Sequence, residues 1–495
     1  VRNTDIDVDV AIIGAGTAGL SALKEIKRAG KTYVLIDHGP LGTSCARVGC
    51  MPSKAVLHAG GLWQGQAFIG GGVRQMLDVT GPDDLWRAAR STRDALASGA
   101  ATRTVAAAGE RLLMGQARFI APDAVTVGGR TVRAKAFVIA TGSTPIVPAF
   151  LRDIQARILT TDSLFELETL PRAVGILGVG AIGLEIGLAL SRLGVRIVAG
   201  DLKSMPAGIT DPEIGARAVQ HFKHAKGLTM WLGQPINVTR TAVGIGISNG
   251  VATEQVDWIL AALGRKPALD SLHLEAAGVA LDEHGQPQID PATLRAGQSA
   301  LYFAGDVTAD RPLQHEAADG GMIAGFNAAR HGAAIRFQRR VSLSIVFSDP
   351  DIAFVGTPFD QLDPEDIIIG SASGQSNGRS RVMGTEDNLV RIYADRINGN
   401  LLGASIFAVH GEHIAHLLAW AMQRNETAES LLEMPFYHPT IEEMVQSALS
   451  DIVAQQGVRR AEPLGVRHLD REDLNSSTKN FDHNIWNQHP NRYAS

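Results

Sequence analysis

Val8-Asp9-Val10-Ala11-Ile12-Ile13-Gly14-Ala15-Gly16-Thr17-Ala18-Gly19 is a short apolar run that meets a G-x-G-x-x-G turn. Ala173-Val174-Gly175-Ile176-Leu177-Gly178-Val179-Gly180-Ala181-Ile182-Gly183 repeats it. Each copy leads into an alanine- and leucine-rich helical pattern, then into a second apolar run that ends in an acid. Tyr33-Val34-Leu35-Ile36 ends at Asp37, and Arg196-Ile197-Val198-Ala199-Gly200 ends at Asp201. Gly14 to Asp37 and Gly178 to Asp201 are both 23 positions, so the chain holds two copies of one βαβ unit. A lone G-x-G-x-x-G is weak evidence, but the strand before, the helix after and the acid at the right distance make a dinucleotide-binding fold of each copy. Gly14 and Gly178 would make the tight turn, Gly16 and Gly180 would let the backbone approach a pyrophosphate, and Gly19 and Gly183 would let helix and strand pack closely. The helix N-terminus offers free N–H groups and a positive dipole to the phosphates. The competing reading of either copy is a glycine-rich βα turn without a ligand.

The 495 residues leave room for about three domains. Hydrophobic residues at 45% and charged residues at 20% are ordinary for a water-soluble globular chain. A formal net charge of −5 gives no basic surface of the kind nucleic acid demands. No apolar run is long enough to predict a membrane span. The stretch Val1 to Asp9 is charged and lacks an apolar signal core, so a cytoplasmic protein is expected.

The sequence contains 2 cysteines, both within Cys45-Ala46-Arg47-Val48-Gly49-Cys50, followed by Met51-Pro52-Ser53-Lys54. So few cysteines argue against a structural disulfide framework, and their proximity reads as a working dithiol. Residues five apart on an ideal helix have Cα atoms ~8.6 Å apart, whereas a disulfide needs less than about 7 Å. The 45–50 stretch must therefore leave regular helix, which Gly49 eases. A helix beginning near Pro52 would turn its positive end to Cys50 and favour a thiolate there. Zinc is the competing ligand, but no other cysteine exists and the spacing is not a zinc one. A dithiol beside the first nucleotide fold points to a flavin there, since a flavin exchanges electrons with a thiolate on one face and hydride on the other. The second fold would then hold a nicotinamide.

Further along, Ala136-Phe137-Val138-Ile139-Ala140-Thr141-Gly142-Ser143 and Val256-Asp257-Trp258-Ile259-Leu260-Ala261-Ala262-Leu263-Gly264 are strands that end in glycine turns. Leu301-Tyr302-Phe303-Ala304-Gly305-Asp306 follows, whose acid is placed to accept from a flavin's ribityl chain or is a plain turn aspartate. From about Arg340, alternating apolar runs at Val341–Phe347, Ile352–Val355, Leu389–Tyr393 and Leu401–Phe407, then an amphipathic helix Gly411–Gln423, predict an antiparallel α+β domain. His410, His413 and His416 have metal-like spacing along that helix but read as surface or interface residues, and no metal site is assigned. Residues 471–495 are polar and Asn-rich and read as a tail.

Taken in order, these motifs resemble the class I pyridine-nucleotide disulfide oxidoreductases, from about residue 6 to about residue 455. The resemblance rests on the first glycine signature, C-x-x-x-x-C-x-P-S-K, Ala140-Thr141-Gly142, Gly178–Glu185, Gly264-Arg265-Lys266-Pro267, Ala304-Gly305-Asp306 and His438-Pro439-Thr440 with Glu443. Within the family the best match is to the dihydrolipoyl dehydrogenases. The chain departs from the family in Leu41-Gly42-Thr43-Ser44-Cys45, where two glycines and a threonine are usual before the cysteine. It also has Asp37 for the usual glutamate, Phe436-Tyr437 before His438, and a longer tail.

The resemblance implies an α/β fold of two Rossmann-like dinucleotide-binding domains plus an antiparallel-sheet dimerisation domain. It implies an FAD-binding domain split over 1–155 and 272–340, an NAD-binding domain over 156–271, a dimerisation domain over 341–460 and an extension over 461–495. Cys50 would lie against the flavin and make the charge-transfer contact, while Cys45 exchanges with substrate. His438 would be the base for thiol exchange, supported by Glu443, and would serve the partner subunit of a homodimer. Thr141, Gly142, Asp306 and His315 would lie by the flavin, and Lys54 and Glu185 would pair where hydride arrives. Gly264 belongs with the cofactor-binding set. Asp201 suits a free ribose hydroxyl, favouring NAD over NADP, with Lys203 and Arg196 as nearby cations. The activity implied is oxidation of a dihydrolipoyl group, on a carrier protein or a small dithiol, by NAD⁺. A glutathione-reductase-like enzyme and a non-catalytic redox-sensing relative are the alternatives. Mercuric reductase and high-molecular-weight thioredoxin reductase call for a further cysteine pair.

Overall fold

The structure, a computed structural model, describes residues 5–68, 81–242, 244–330, 332 and 334–457, the side chains of 66–68 excepted. The expected tail of 471–495 lies outside the described residues. The chain forms two compact units: one up to Arg340 together with Ser344–Ile352, the other Val341–Leu343 together with the residues from Ala353.

The first unit is built on two sheets. The larger has seven strands, with Leu112–Met114, Tyr33–Asp37, Ile6–Ile13 and Arg130–Ile139 side by side and parallel. Ala124–Val127 and Ala117–Ala121 extend it antiparallel, and Leu301–Phe303 returns to pair with Arg130–Ile139. The C-terminal halves of the middle strands are apolar because both faces are covered there: Val10, Ala11, Ile12, Phe137 and Val138 are fully buried. The helix Thr17–Arg28 crosses from Ile6–Ile13 to Tyr33–Asp37 and buries Ala18, Ala22, Leu23 and Ile26 on one face, with Lys27 and Arg28 in its last turn.

The second sheet is parallel, in the order Leu228–Leu232, Arg196–Asp201, Ala173–Leu177, Trp258–Ala261, Ile158–Leu159. The helix Ala181–Arg192 is its crossover. A three-stranded antiparallel sheet, Asn237–Thr241, Gly244–Ser248 and Thr253–Val256, shares its apolar core through Ile245, Ile247 and Val256. The expected pair of βαβ units is therefore present.

In the second unit Leu401–Ala408, Leu389–Asp395 and Ile367–Ser373 lie in that order as antiparallel neighbours. Ile367–Ser373 went unread in the sequence because Gly370, Ser371 and Ser373 interrupt its alternation. Gly370 has a packing reason: a Cβ there would strike the Ala448 carbonyl of the helix Glu443–Gln456. No helix among the described residues is long and apolar enough to cross a membrane.

Candidate active site

The two glycine turns are near-copies in three dimensions. Gly14 and Gly178 have φ of 109° and 91°, and a Cβ on either would strike the carbonyl oxygen of Ala140 or Ala262, just past the end of the adjacent strand. A Cβ on Gly19 or Gly183 would strike the Gly14 or Gly178 carbonyl. Gly16 and Gly180 cap the two helices, and a Cβ on either would meet nothing within 4 Å. The outer two glycines of each motif are thus required by packing, and the middle one faces open space at a helix N-terminus.

The acids match as well. Asp37 accepts the Ala15 N–H at 2.7 Å and the Gly39 N–H at 2.6 Å. Asp201 accepts the Val179 N–H at 2.7 Å and the Lys203 N–H at 2.9 Å. Each carboxylate pins the residue between its first two glycines and keeps a lone pair on each oxygen for a ribose hydroxyl. Arg196 is not beside Asp201: it stands at the opposite end of the strand Arg196–Asp201 and pairs with Glu254 at 2.7 Å. Spacing in sequence had placed it near the acid, but an extended strand moves about 3.3 Å per residue.

The cysteines straddle a break between helices. Cys45 lies in the four-residue helix Ser44–Arg47, Val48 leaves helical geometry at φ −138° and ψ 1°, and Cys50 opens the helix Cys50–Phe68. Pro52 falls in the first turn of that second helix. Gly49 packs between the two cysteines, where a Cβ would stand 3.1 Å from the Ser44 carbonyl oxygen and 3.2 Å from the Cys45 Cα. Thr43, at a usual glycine position, takes φ 61° and ψ 146°, a region few residues other than glycine enter. Its hydroxyl accepts the Ala46 N–H at 3.3 Å, which offsets part of the strain.

The two cysteines are not joined by a disulfide here. The Cys45 S–H donates to the Cys50 sulfur, which, with the Lys54 cation and the Cys50 N–H, brings Cys50 down to about 6 against its burial. The same hydrogen bond, with burial, raises Cys45 far above the ordinary thiol range. The hydrogen bond thus favours the thiolate at Cys50 and the proton at Cys45.

Lys54 and Glu185 form an ion pair at 2.7 Å. Glu185 is buried, and its other carboxylate oxygen accepts the Phe347 N–H at 3.0 Å. The Phe347 ring lies under the ammonium, 4.6 Å from Lys54 Nζ. Ser53 Oγ is 3.0 Å from the Cys50 carbonyl oxygen and 3.3 Å from Glu185 Oε2.

A second cluster joins three of the motifs. Ser143 Oγ donates to Asp306 Oδ2 at 2.8 Å, and Arg265 Nε donates to Ser143 Oγ at 2.8 Å. Arg265 also reaches the Ser143 carbonyl at 2.7 Å and Thr161 Oγ1 at 3.0 Å. Gly264, at φ 100°, turns the chain into the ribbon that pairs Arg265–Pro267 with Ser143–Pro145. Among the described residues Thr141 Oγ1 is buried without a hydrogen-bond partner, so a polar ligand group beside Thr141 and Gly142 would satisfy it. His315 is exposed on the first turn of the helix Gln314–Ala328. Ser143, Arg265 and Phe347 were missed in the sequence; only the neighbouring motifs could have flagged the first two.

In the second unit, His438 Nδ1 is 2.9 Å from Glu443 Oε1, and Glu443 Oε2 accepts the Thr440 N–H at 2.9 Å. The Thr440 N–H and then His438 hold the Glu443 carboxyl below its ordinary range. An ionised carboxylate only accepts, so Nδ1 carries the proton and the basic lone pair sits on Nε2. His438 is 76% exposed, open to a reacting partner. The Asn377 amide fixes this loop by donating to the Thr440 carbonyl at 3.0 Å.

These features together describe a flavoprotein disulfide oxidoreductase. Residues 8–333 match the Pyridine nucleotide-disulphide oxidoreductase family and residues 342–449 match its dimerisation domain; the chain belongs to that family. Its members use FAD and NAD(P), and the open Gly16 and Gly180 turns, the Asp37 and Asp201 carboxylates and the unpartnered Thr141 hydroxyl fit such cofactors. The chain is 28% identical to the mercuric reductase of Staphylococcus aureus, over 87% of this chain and 80% of that protein. It is also 28% identical to the dihydrolipoyl dehydrogenase of Halobacterium salinarum, over 90% of this chain and 97% of that protein. Among solved structures, the Cu(II) complex of the HOCl-induced flavoprotein disulfide reductase RclA from Escherichia coli superposes with a TM-score of 0.78 at 23% identity, covering 90% of this chain and 99% of that one. LpdA from Mycobacterium tuberculosis gives 0.77 at 23% identity, covering 90% of this chain and 99% of that one. At such identities these structures speak for the fold.

Proposed function

We propose that the protein is an NAD-dependent dihydrolipoyl dehydrogenase that works as a homodimer. The observation that carries the reading is the neighbouring, unjoined Cys45 and Cys50, the second opening a helix whose Lys54 is paired with Glu185 of the second nucleotide fold. FAD would be held by Gly14, Gly16, Gly19, Asp37, Thr141, Gly142 and Asp306. NAD would be held by Gly178, Gly180, Gly183, Asp201 and Gly264. Bound FAD supplies the two-electron link between the dithiol and NAD⁺.

In the substrate half-reaction the enzyme starts as the Cys45–Cys50 disulfide. His438 of one subunit takes the proton of one substrate thiol, and Glu443 stabilises the imidazolium. The substrate thiolate attacks Cys45 Sγ; the Cys45–Cys50 bond breaks and Cys50 leaves as a thiolate, for which its lowered pKa suits it. The second substrate thiol then attacks the substrate sulfur of the mixed disulfide. A cyclic substrate disulfide leaves, and Cys45 departs and ends as a thiol. The substrate has lost two electrons and two protons, and the enzyme disulfide has gained both electrons.

NAD is favoured because Asp201 stands at the ribose end of its strand and, of the two nearby cations, Arg196 is engaged elsewhere and Lys203 alone stays beside it. A dithiol substrate is favoured over mercuric ion because these 495 residues carry no cysteine beyond Cys45 and Cys50. Anaerobic addition of dihydrolipoamide to the oxidised holoprotein tests the reading. Both cysteines should become titratable by a disulfide reagent with matching formation of lipoamide; a Cys45→Ser protein should form none. Reduction that proceeds equally in Cys45→Ser would overturn it.

A further inference from the structure

His410, Glu412 and His413 each direct a ligand atom to one place in the second unit, with all three atoms within 4.8 Å of one another. Spacing in the sequence groups 410, 413 and 416 as a helix stripe, but the backbone assembles a different set. His410 is the residue before the helix Gly411–Gln423 and is left-handed, at φ 56° and ψ 29°, a conformation that histidine enters more readily than most residues. Its ring lies 6.0 Å from the His413 ring, centroid to centroid. His416 drops out: its Nδ1 is 2.6 Å from the Glu412 carbonyl oxygen and its ring packs beside Trp420. Glu412 takes its place, with Oε1 3.6 Å from His413 Nε2.

The turn is held in advance of any ligand. The Val409 N–H donates to the buried Asn388 side chain at 3.1 Å, and the His413 N–H donates to the His410 carbonyl at 3.0 Å. We propose that His410, Glu412 and His413 bind one divalent transition-metal ion of the zinc–copper class, separate from the dithiol. Two imidazole nitrogens and one carboxylate oxygen suit that class, whereas calcium and magnesium take mostly oxygen. Zinc–nitrogen bonds of about 2.0–2.1 Å put tetrahedral ligand atoms roughly 3.4 Å apart. Closing that gap calls for rotation of the exposed His410 and His413 rings. The Glu412 carboxylate offsets the positive end of the helix, and three protein ligands leave a position for water.

The test uses the full-length oxidised holoprotein, in which a Cys45–Cys50 disulfide cannot bind metal. Titration calorimetry with Zn²⁺ should find one such site per chain, and the electron spin resonance of one equivalent of Cu²⁺ should carry coupling to two imidazole nitrogens. His413→Ala and Glu412→Gln should each weaken binding by at least about 10-fold. His410→Asn, which keeps a residue at ease in the left-handed turn, should do the same with flavin content and melting temperature unchanged. His416→Ala and His438→Ala should bind as the parent does. Absence of a stoichiometric site, parent-like binding in His410→Asn and His413→Ala, or an equal loss in His416→Ala or His438→Ala would overturn the proposal.

Discussion

Lys54 and Glu185 are 131 positions apart in sequence and 2.7 Å apart in the fold, tying the helix that begins at Cys50 to the crossover helix of the second nucleotide-binding unit. The ammonium also lowers the Cys50 pKa, after the Cys45 hydrogen bond. Lys54→Met should therefore move the Cys50 thiolate inflection upward from about 6, so that less thiolate is present in mildly acid solution. A pH titration of the ultraviolet thiolate absorbance of the reduced protein reads this directly. An inflection that stays put, or moves down, would contradict the electrostatic assignment.

Gly16 and Gly19 make opposite predictions although only three positions separate them. Gly19→Ala forces a methyl into the Gly14 carbonyl, an overpacking that costs about 1–3 kcal/mol or more, and should lower the melting temperature. Gly16→Ala meets nothing within the protein; its melting temperature without flavin should stay at the parent value while flavin retention falls. Melting curves and the flavin-to-protein absorbance ratio separate the two. Full flavin content in Gly16→Ala would show that the open space is not the pyrophosphate's.

Asp201→Gly removes both the ribose acceptor and the staple on the Val179 N–H. Losing a hydrogen bond to a charged acceptor costs about 1.5–3 kcal/mol, so kcat/KM for NAD⁺ should fall roughly 10- to 150-fold. The NADP⁺-to-NAD⁺ ratio should rise. Steady-state kinetics with both nucleotides checks it, and an unchanged ratio would reject Asp201 as the discriminating group.

His438→Ala should slow dithiol turnover by about 10²–10⁴-fold while NADH-to-dye electron transfer persists. Glu443→Gln should give a smaller loss of the same kind, since it keeps the ring but weakens the 2.9 Å contact. Equal loss of dithiol and dye activities would remove His438 from the role of thiol base.

Cys50→Ser should abolish the long-wavelength absorbance of the two-electron-reduced protein, whereas Cys45→Ser, which keeps Lys54 beside Cys50, should retain a thiolate–flavin band. A band of parent intensity in Cys50→Ser would assign the flavin contact to the wrong sulfur.

The parts of this molecule that were legible in the sequence are those fixed by short-range chemistry. Gly14, Gly16 and Gly19, and their counterparts Gly178, Gly180 and Gly183, could be read because each turn has to clear a neighbouring carbonyl or leave a helix end open. The pairs Lys54–Glu185 and His438–Glu443 could be read because each motif brings its own charges. The contacts made by backbone groups could not. Nothing in the residue type of Phe347 says that its N–H meets Glu185, and Ser143 gains its link to Asp306 only because two strands converge. Arg196 was misplaced because proximity in sequence is lost along a strand. His416 could not be told apart from His410 and His413 by spacing, because its contact with the Glu412 carbonyl exists only in the fold.

The most direct measurement compares turnover of NAD⁺ with dihydrolipoamide against NADPH with oxidised glutathione, on one preparation of the flavin-loaded protein. The lipoamide couple should run with kcat/KM in the ordinary enzymatic range of about 10⁴–10⁸ M⁻¹s⁻¹ and the glutathione couple should be negligible. A preference for NADPH and glutathione, or no dihydrolipoamide oxidation by a fully flavinated protein, would contradict it.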